Sequence, residues 1–272
     1  NYVGYLGMHG NYAPNKLTNE ADLLVAIGMR FDDRVTGDLS RYATHAKVIH
    51  LEIDPAEVNK NVTADAPVLG NVKKSLPVLA AHSPANTFPE WRKEFDRYNA
   101  QEIDKLMENI SPKEGKLTMA EVVSRLMQKE DDALMVTDVG QHQMTVSRYS
   151  RFKRSHSLIT SGGLGTMGYG LPAAIGAKKG RPDREVIVVT GDGGFQMNIQ
   201  ELGTIMQSDI PVKIIVMNNS YLGMVRQWQQ MFNDRRYSFT SLHNPEFTEV
   251  AKAYGIASRK VEKREELAQG LD

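Results

Sequence analysis

Two polar side chains stand where two apolar segments end, and their spacing suits a hard metal ion. Asp192 follows the Val/Ile-rich segment 186–190, and Asn219 follows the segment 212–217. A helix between two parallel strands would bring both residues to the carboxyl edge of one sheet, where open α/β sheets bind ligands. Carboxylate, amide and carbonyl oxygens suit Mg²⁺, and phosphate and water usually complete its coordination. This βαβ unit therefore predicts a magnesium site for a phosphorylated ligand.

Glycines flank Asp192, so a diphosphate could approach the backbone closely. They are Gly191, Gly193 and Gly194. The helix that begins near Phe195 would direct its N–H groups and its positive dipole end at the anion. Each short motif alone is more often an ordinary turn, but the pairing of Asp192 with Asn219 is much more specific.

Two further loops follow predicted strands. Gln141 and His142 come after the segment 134–136, and both could donate hydrogen bonds to phosphate. The glycine-rich stretch 161–170 would let a flat ring lie against the backbone. Its residues 163–168 also fit the G-x-G-x-x-G pattern of dinucleotide-binding proteins. A nicotinamide-dependent dehydrogenase is therefore a second hypothesis, although it leaves the metal-type pair unexplained.

The elements that must position these residues are short strands alternating with helices. The pattern predicts strands at 23–27, 48–49, 134–136, 186–189 and 214–216, and helices at 118–127, 173–179 and 196–206. Continuous Val/Ile-rich runs are typical of parallel strands covered on both faces, so the predicted fold class is α/β with doubly wound parallel sheets. A Pro/Asn/Ser-rich stretch and a long helix after it suggest a first domain at 1–82, a linker with a long helix at 83–117, and a second domain at 118–272.

The composition excludes several classes of protein. Of 272 residues, 41% are hydrophobic and 24% are charged, which is globular composition. Lys and Arg total 33, as do Asp and Glu, so there is no basic domain for nucleic acid. The absence of cysteine excludes disulfides and thiolate chemistry. No apolar run approaches the ~18 residues that cross a bilayer, so we expect no membrane partner.

The motif Gly-Asp-Gly at 191–193 followed by Asn218-Asn219 resembles the signature of thiamine-diphosphate enzymes. The resemblance implies that Asp192, Asn219 and the Tyr221 carbonyl bind Mg²⁺, and that Met167 is an apolar wedge that keeps the cofactor bent. The implied thiamine-diphosphate contacts are Gly140, Gln141, His142, Gly165, Met167, Gly191, Asp192, Gly193, Gly194, Asn219, Leu222, Gly223 and Met224.

Further segments make the resemblance more specific, and it covers essentially the whole chain. Residues 6–10, 28–37, 140–144 and 222–228 are similar to acetolactate (acetohydroxyacid) synthase catalytic large subunits. Residues 1–82 would then be the C-terminal part of a middle domain that holds FAD in a non-redox role, and 118–272 a thiamine-diphosphate domain truncated at its C-terminus. The implied FAD contacts are Gly7, Met8, His9, Arg30, Asp32, Asp33, Val35, Glu52, Ile53, Asn71 and Val72.

The activity that the resemblance implies is condensation of pyruvate with a second 2-oxoacid and loss of CO₂. Pyruvate would give 2-acetolactate and 2-oxobutyrate would give 2-aceto-2-hydroxybutyrate, in branched-chain amino-acid biosynthesis. Arg34, Met224 and Trp228 would contact the second 2-oxoacid. The activating glutamate of the family belongs to an N-terminal domain outside this chain, so we assign no catalytic residue here and expect this fragment alone to be inactive.

The resemblance also implies partners and a location. The complete enzyme would be at least a homodimer, with a possible small regulatory subunit, in the bacterial cytoplasm or in an organelle. Thr145 stands where the family commonly has an aromatic residue, so the local shape of the pocket is expected to differ. The alternatives are another thiamine-diphosphate 2-oxoacid decarboxylase or carboligase, the nicotinamide-dependent dehydrogenase with Gly163–Gly168, and an inert paralogue.

Overall fold

The computed structural model describes residues 2–110 and 116–272, with the backbone alone for 106–110. The chain divides into two compact units, Asn1–Leu106 and Met107–Asp272. The division falls within the predicted linker at 83–117, of which residues 111–115 lie outside the described residues.

The first unit contains a three-stranded parallel sheet. Strands β1 (Leu23–Ile27), β2 (Lys47–Glu52) and β3 (Ala66–Leu69) are adjacent in that order. The helices are α1 (Tyr12–Thr18), α2 (Asp33–Thr36), α3 (Val72–His82) and most of α4 (Pro89–Ile110), with a 3₁₀ turn at Leu39–Arg41. The sequence did not predict β3, because its four residues include a proline and three of them are exposed.

Helix α4 packs against α1 within the first unit. Tyr98 is buried with Ala13 and Leu17. The rings of Tyr12 and Tyr98 meet edge to face at 5.4 Å, and the Glu102 carboxylate accepts a hydrogen bond from the Tyr12 N–H. The aromatic spacing along the predicted long helix therefore reflects packing at Tyr98.

The second unit contains a four-stranded parallel sheet in the order β5-β4-β6-β7. Its strands are β4 (Leu134–Thr137), β5 (Leu158–Thr160), β6 (Val186–Gly191) and β7 (Lys213–Met217). Its helices are α5 (Met119–Lys129), α6 (Gln141–Tyr149), α7 (Gly170–Gly180), α8 (Asp192–Met197), α9 (Glu201–Ser208), α10 (Gly223–Phe232), α11 (Phe247–Ala253) and α12 (Leu267–Gly270), with a 3₁₀ turn at Arg264–Glu266.

Helices cover both faces of the central strands β4 and β6. On one face, Val123 of α5 and Val146 of α6 pack with Ile187 of β6. On the other face, Ala174 of α7 and Leu202 of α9 belong to a second buried cluster, which includes other side chains of β4 and β6. Every residue of β4 is buried, because both of its faces are covered. The predicted α/β class with doubly wound parallel sheets is confirmed. No described helix is both long enough and apolar enough to cross a bilayer.

The predicted helix at 196–206, expected to begin near Phe195, is wrong in two respects, because it is two helices and the first of them begins at Asp192. Helix α8 ends at Met197 and α9 begins at Glu201. Asn198 leaves the helix with φ −134°, and its side-chain Nδ2 donates a hydrogen bond to the Gly168 carbonyl at 2.7 Å. A contact distant in sequence therefore breaks a pattern that reads as continuous.

We expect Leu202→Ala to destabilise the second unit by about 2–5 kcal/mol, because truncation leaves a cavity in a closely packed core. Leu202 is 1% exposed. Met206→Ala on the same helix is the matched control, since Met206 is 56% exposed. Urea unfolding measures both variants, and equal losses would contradict this account of the core.

Candidate cofactor and metal site

Parallel pairing brings the carboxyl ends of β4, β6 and β7 to one edge of the second sheet. Thr137 of β4 is in register with Val189, and Gly191 of β6 is in register with Met217 of β7. The loops that follow carry most of the predicted thiamine-diphosphate residues. The topology thus assembles the loop at 138–142, the start of α8 and the turn at 218–221.

Asp192 is the buried carboxylate of this edge. It is 2% exposed, and its Oδ1 accepts from the Gly193 N–H at 3.0 Å. Its Oδ2 accepts from the Ser220 N–H at 2.8 Å and from Asn244 Nδ2 at 2.7 Å. Asp192 is therefore tied directly to the turn after β7, as the predicted βαβ unit requires.

The turn after β7 presents Asn219 and Tyr221. Asn219 Oδ1 accepts from the Tyr221 N–H at 3.0 Å. Tyr221 forms an antiparallel bridge with Ser241, flanked by backbone hydrogen bonds from Leu222 to Thr240 and from Leu242 to Ser220. In this kind of pair the bridging residue turns its own N–H and C=O away from the partner segment. The Tyr221 carbonyl therefore points to the side of the Asn219 side chain.

The remaining acceptor capacity fits a hard cation. A carboxylate has about four lone-pair positions, and the described donors to Asp192 use two on Oδ2 and one on Oδ1. Asn219 Oδ1 has two such positions and uses one for Tyr221. Within residues 2–110 and 116–272 no cluster of three or more His, Cys, Asp or Glu could hold a metal. A bound ion would therefore depend on mixed oxygen ligands and on its phosphate partner.

His142 and Gln141 begin helix α6 beside this edge. The His142 ring is buried, and its Nε2 has no hydrogen-bond partner in the described part of the chain. Burial lowers the pKa of His142 to about 4, although the carboxylates of Asp138 and Asp192 oppose the shift. The ring is therefore neutral at physiological pH. Gln141 Nε2 donates to Gln227 Oε1 at 2.9 Å, which ties α6 to α10.

The glycines beside Asp192 pack against the protein's own side chains. A Cβ on Gly191 would lie 3.0 Å from the His142 ring, and one on Gly193 would lie 2.6 Å from Leu222. A Cβ on Gly194 would lie 2.3 Å from Asp138 Oδ1. Close packing within the protein is thus one reason for these glycines, in addition to the predicted approach of a diphosphate.

Asp138 is a buried carboxylate of this edge that the sequence reasoning missed. It follows β4 and is 1% exposed. Its Oδ1 accepts from the N–H groups of Val139 and Gly168 at 2.8 and 3.0 Å, and its Oδ2 accepts from Gly170 at 2.7 Å. This carboxylate therefore ties the loop at 138–142 to the glycine-rich loop. No local motif marks it, because two of its partners lie some thirty residues away.

The glycine-rich loop does not have the arrangement that a dinucleotide site requires. It joins β5 to α7, but β4 lies between β5 and the following strand β6. In the dinucleotide-binding unit the two strands are neighbours, and the helix N-terminus faces the pyrophosphate. The first N–H of α7, on Gly170, already donates to Asp138. The nicotinamide hypothesis therefore lacks its structural basis.

Other predicted contact residues lie in the glycine-rich loop and on helix α10. Gly165 has φ +64°, and the nearest atom to an added Cβ would be 4.0 Å away on Val139. Met167, in the same loop, is half-buried, as is Met224 at the start of α10. Trp228 is 37% exposed, and its ring lies 4.7 Å from that of Phe232.

A cavity of about 570 Å³ adjoins the metal-type residues. Its lining residues are Gln141, Asn219, Tyr221, Gly223, Arg226, Gln227, Gln230 and Met231. The Arg226 guanidinium is the charged group of this lining, and it stacks on the rings of Tyr221 and Tyr237 at 4.2 Å each. A Cβ on Gly223 would lie 2.3 Å from Gln141 Oε1, so a larger residue at the start of α10 would displace the Gln141 side chain.

In the first unit, several of the predicted FAD residues surround α2. The Met8 N–H donates to the Arg34 carbonyl at 2.7 Å. Gly7 has φ +85°, and a Cβ there would lie 2.6 Å from Val35 Cα. Asp32 caps α2 through the Arg34 N–H. The Arg34 guanidinium pairs with Asp33 at 2.6 Å.

The other predicted FAD residues follow the strands of this sheet. Arg30 comes after β1 and pairs with Asp32 at 3.3 Å. Glu52 ends β2, where its Oε1 accepts from the Ile53 and Asp54 N–H groups at 2.8 and 3.2 Å. Asn71 caps α3 through the Lys73 N–H at 3.0 Å, with Val72 as the first helical residue. His9 lies in the loop before α1.

Two family profiles match this chain. One is described as "Thiamine pyrophosphate enzyme, C-terminal TPP binding domain" and matches residues 138–272. The other is described as "Thiamine pyrophosphate enzyme, central domain" and matches residues 1–79. The chain belongs to the thiamine pyrophosphate enzyme family, and its second unit carries the domain that binds this cofactor.

Within this family the chain is similar to acetolactate synthase large subunits. It is 43% identical over 272 residues to the isozyme 2 large subunit of Escherichia coli (strain K12), an alignment that covers 100% of this chain and 48% of that protein. It is 44% identical to the large subunits of Parasynechococcus marenigrum (strain WH8102) and Porphyra purpurea, with 99% of this chain covered and 44% and 46% of those proteins. The chain spans about half the length of the curated relatives it matches.

We expect Asp138→Asn to destabilise the second unit by about 1–3 kcal/mol, because an amide NH₂ would face backbone donors that now share a carboxylate. Denaturant unfolding measures the loss, and limited proteolysis should cut the loop at 161–170 faster. Asp234→Asn, at an exposed loop position, is the control and should change neither. Equal stability of the two variants would contradict this role of Asp138.

The pH dependence of stability should carry a contribution from His142. An unfolded histidine titrates near pH 6.5, whereas the folded pKa is about 4. Between these pH values the unfolded chain binds one more proton at residue 142 than the folded chain does. The contribution of His142 to the free energy of unfolding therefore rises with pH over this range and is constant above it. His142→Gln should flatten the slope, while His243→Gln, at an exposed position, should leave it unchanged. An unaltered slope in His142→Gln would rule out this contribution.

Proposed function

We propose that this chain is part of an acetolactate synthase that condenses pyruvate with a second 2-oxoacid, pyruvate or 2-oxobutyrate, and releases CO₂. The observation that carries the proposal is the direct hydrogen bond from the Ser220 N–H to Asp192 Oδ2, which joins the two halves of the metal-type motif at one sheet edge. The similarity to acetolactate synthase large subunits over the whole chain supports the substrate assignment.

The residues at this edge fit Mg²⁺ and a diphosphate. We assign Asp192, the Asn219 side chain and the Tyr221 carbonyl to the metal. The buried Nε2 of His142, which has no described partner, is a polar atom available to a phosphate oxygen. The open space at Gly165 suits a flat ring, and the side chains of Met167 and Met224 offer apolar contact.

When bound, thiamine diphosphate supplies the electron sink for loss of CO₂ from a 2-oxoacid and for transfer of the remaining two-carbon unit. The role of this chain's own residues is to bind and orient the cofactor and the substrate. Asp192 and Asn219 hold the charge of the diphosphate through the metal, and neutral His142 donates or accepts one hydrogen bond without adding charge. Trp228 of the second unit is assigned to the second 2-oxoacid, where an indole limits the size of the substrate side chain.

The first unit is proposed to hold FAD without a net redox role. The residues after β1, β2 and β3 lie at one carboxyl edge, where α/β sheets bind nucleotides. Glu52 keeps its second oxygen, Oε2, for a further donor beyond the contact of 3.8 Å with His50. We propose a homo-oligomer for the complete enzyme and a small regulatory partner, since the relatives are named large subunits.

Titration calorimetry tests the cofactor assignment. We expect thiamine diphosphate to bind only when Mg²⁺ is present, and Asp192→Ala to abolish that binding, because the metal loses its charged ligand. Asp183→Ala is the matched control, since Asp183 is exposed and pairs with Arg181. Unchanged affinity in Asp192→Ala would refute the metal assignment, and Mg²⁺-independent binding of NADH would favour the nicotinamide alternative.

A further inference from the structure

Asn244 lies against the metal-type carboxylate although no motif marks it. Its Nδ2 donates to Asp192 Oδ2 at 2.7 Å and to Asn218 Oδ1 at 2.9 Å. Its own Oδ1 accepts from Gln196 Nε2 at 2.9 Å. A single half-buried amide therefore contacts two residues of helix α8, one of them at its start, and the turn after β7.

The backbone around Asn244 is held in place. Residues 240–244, which we call the strap, run alongside the turn at 220–222 through the Tyr221–Ser241 bridge and two flanking hydrogen bonds. Thr240 is 2% exposed, so the strap is anchored at its start. Pro245 follows Asn244 and restricts its backbone to extended conformations. The amide thus reaches Asp192 from a backbone with little freedom.

We propose that Asn244 is a positioning residue for the metal site, a proposal that rests on the proposed function. The two donors to Asp192 Oδ2, from Ser220 and Asn244, fill the lone-pair positions of that oxygen. The remaining acceptor position of the carboxylate is on Oδ1, so Oδ1 is the oxygen of Asp192 that would be available to the metal. Because the amide is neutral, it orients the carboxylate without competing for its charge.

The second contact of Asn244 extends this role to the other ligand. Asn218 immediately precedes Asn219, and its Oδ1 accepts from Asn244 Nδ2 and from the Ser220 N–H at 3.1 Å. Ser220 has φ +60°, a conformation that needs support from its surroundings. Asn244 therefore fixes both the carboxylate and the turn that presents the amide and carbonyl ligands. Gln196 in turn fixes the orientation of the Asn244 amide.

The test is a Mg²⁺ titration in a fixed excess of thiamine diphosphate, with binding measured by calorimetry. Groups that orient metal ligands typically contribute 10–100-fold in metal affinity. We expect Asn244→Leu, which matches the side chain in size but cannot donate, to raise the Mg²⁺ dissociation constant on the order of 10–100-fold. Asn244→Ala should have a smaller effect, because a water molecule can enter the space and donate instead. Asn233→Leu and Asn233→Ala, at the exposed end of α10, are matched controls and should bind Mg²⁺ normally.

The melting temperature without metal separates positioning from ordinary stabilisation. A positioning role predicts weaker Mg²⁺ binding in Asn244→Ala even where its metal-free melting temperature equals that of Asn233→Ala. A lower melting temperature with unchanged Mg²⁺ affinity would overturn the proposal, and if Asn244→Leu does not fold, Asn244→Ala decides alone.

Asp192→Ala distinguishes failure of the proposed function from failure of the positioning role of Asn244. If it retains Mg²⁺ binding the proposed function fails, and if it loses binding while both Asn244 variants behave as wild type, only the positioning role fails.

Discussion

The candidate site depends on two buried carboxylates that are held by N–H groups. Asp138 and Asp192 are 1% and 2% exposed, and burying a carboxylate is costly unless its oxygens are hydrogen-bonded. Their described donors are backbone N–H groups and one side-chain amide. To supply those donors, the glycine-rich loop after β5 must meet the end of β4, and the turn after β7 must meet the start of α8. The carboxylates therefore dictate the loop conformations, and the parallel sheet makes the convergence possible.

The two carboxylates each accept three described hydrogen bonds, but they differ in their surroundings. Asp138 receives three backbone N–H groups, and the backbones of Gly170 and Gly194 approach it so closely that an added Cβ would lie 2.9 and 2.3 Å from its atoms. Asp192 also receives three donors, but its remaining acceptor position faces a turn whose Asn219 oxygen has capacity left. Asp138 thus has a structural role, and Asp192 is suited to a ligand. Under the proposed function, a chain with no net charge would hold a diphosphate in this way, since the bound metal would supply the positive charge locally.

Sequence patterns predicted the parts of the fold that are fixed by local chemistry. The buried run at 186–189 predicted β6, and the residues at its end predicted the Asp192–Asn219 pairing, because βαβ geometry fixes where strand ends lie. The strand before the glycine-rich stretch was expected but not given bounds, since the three residues of β5 are only half-buried. Asp138 and Asn244 were missed because their partners are distant in sequence and depend on the folded loops. The interruption of the helix at Asn198 was missed for the same reason, because the hydrogen-bond partner of Asn198 is distant in sequence.

The glycines of the site separate a preformed end from an open one. Around Asp192 the space of each missing Cβ is taken by His142, Leu222 or Asp138, so the metal and phosphate end is already packed. At Gly163 and Gly165 an added Cβ would meet nothing nearer than 4.0 Å. Preorganised polar groups bind a small charged ligand at little cost in ordering, whereas open apolar surface requires a partner to cover it. The proposed diphosphate end is therefore preorganised by the side chains of this chain, whereas the proposed ring end is left open at the glycine-rich loop.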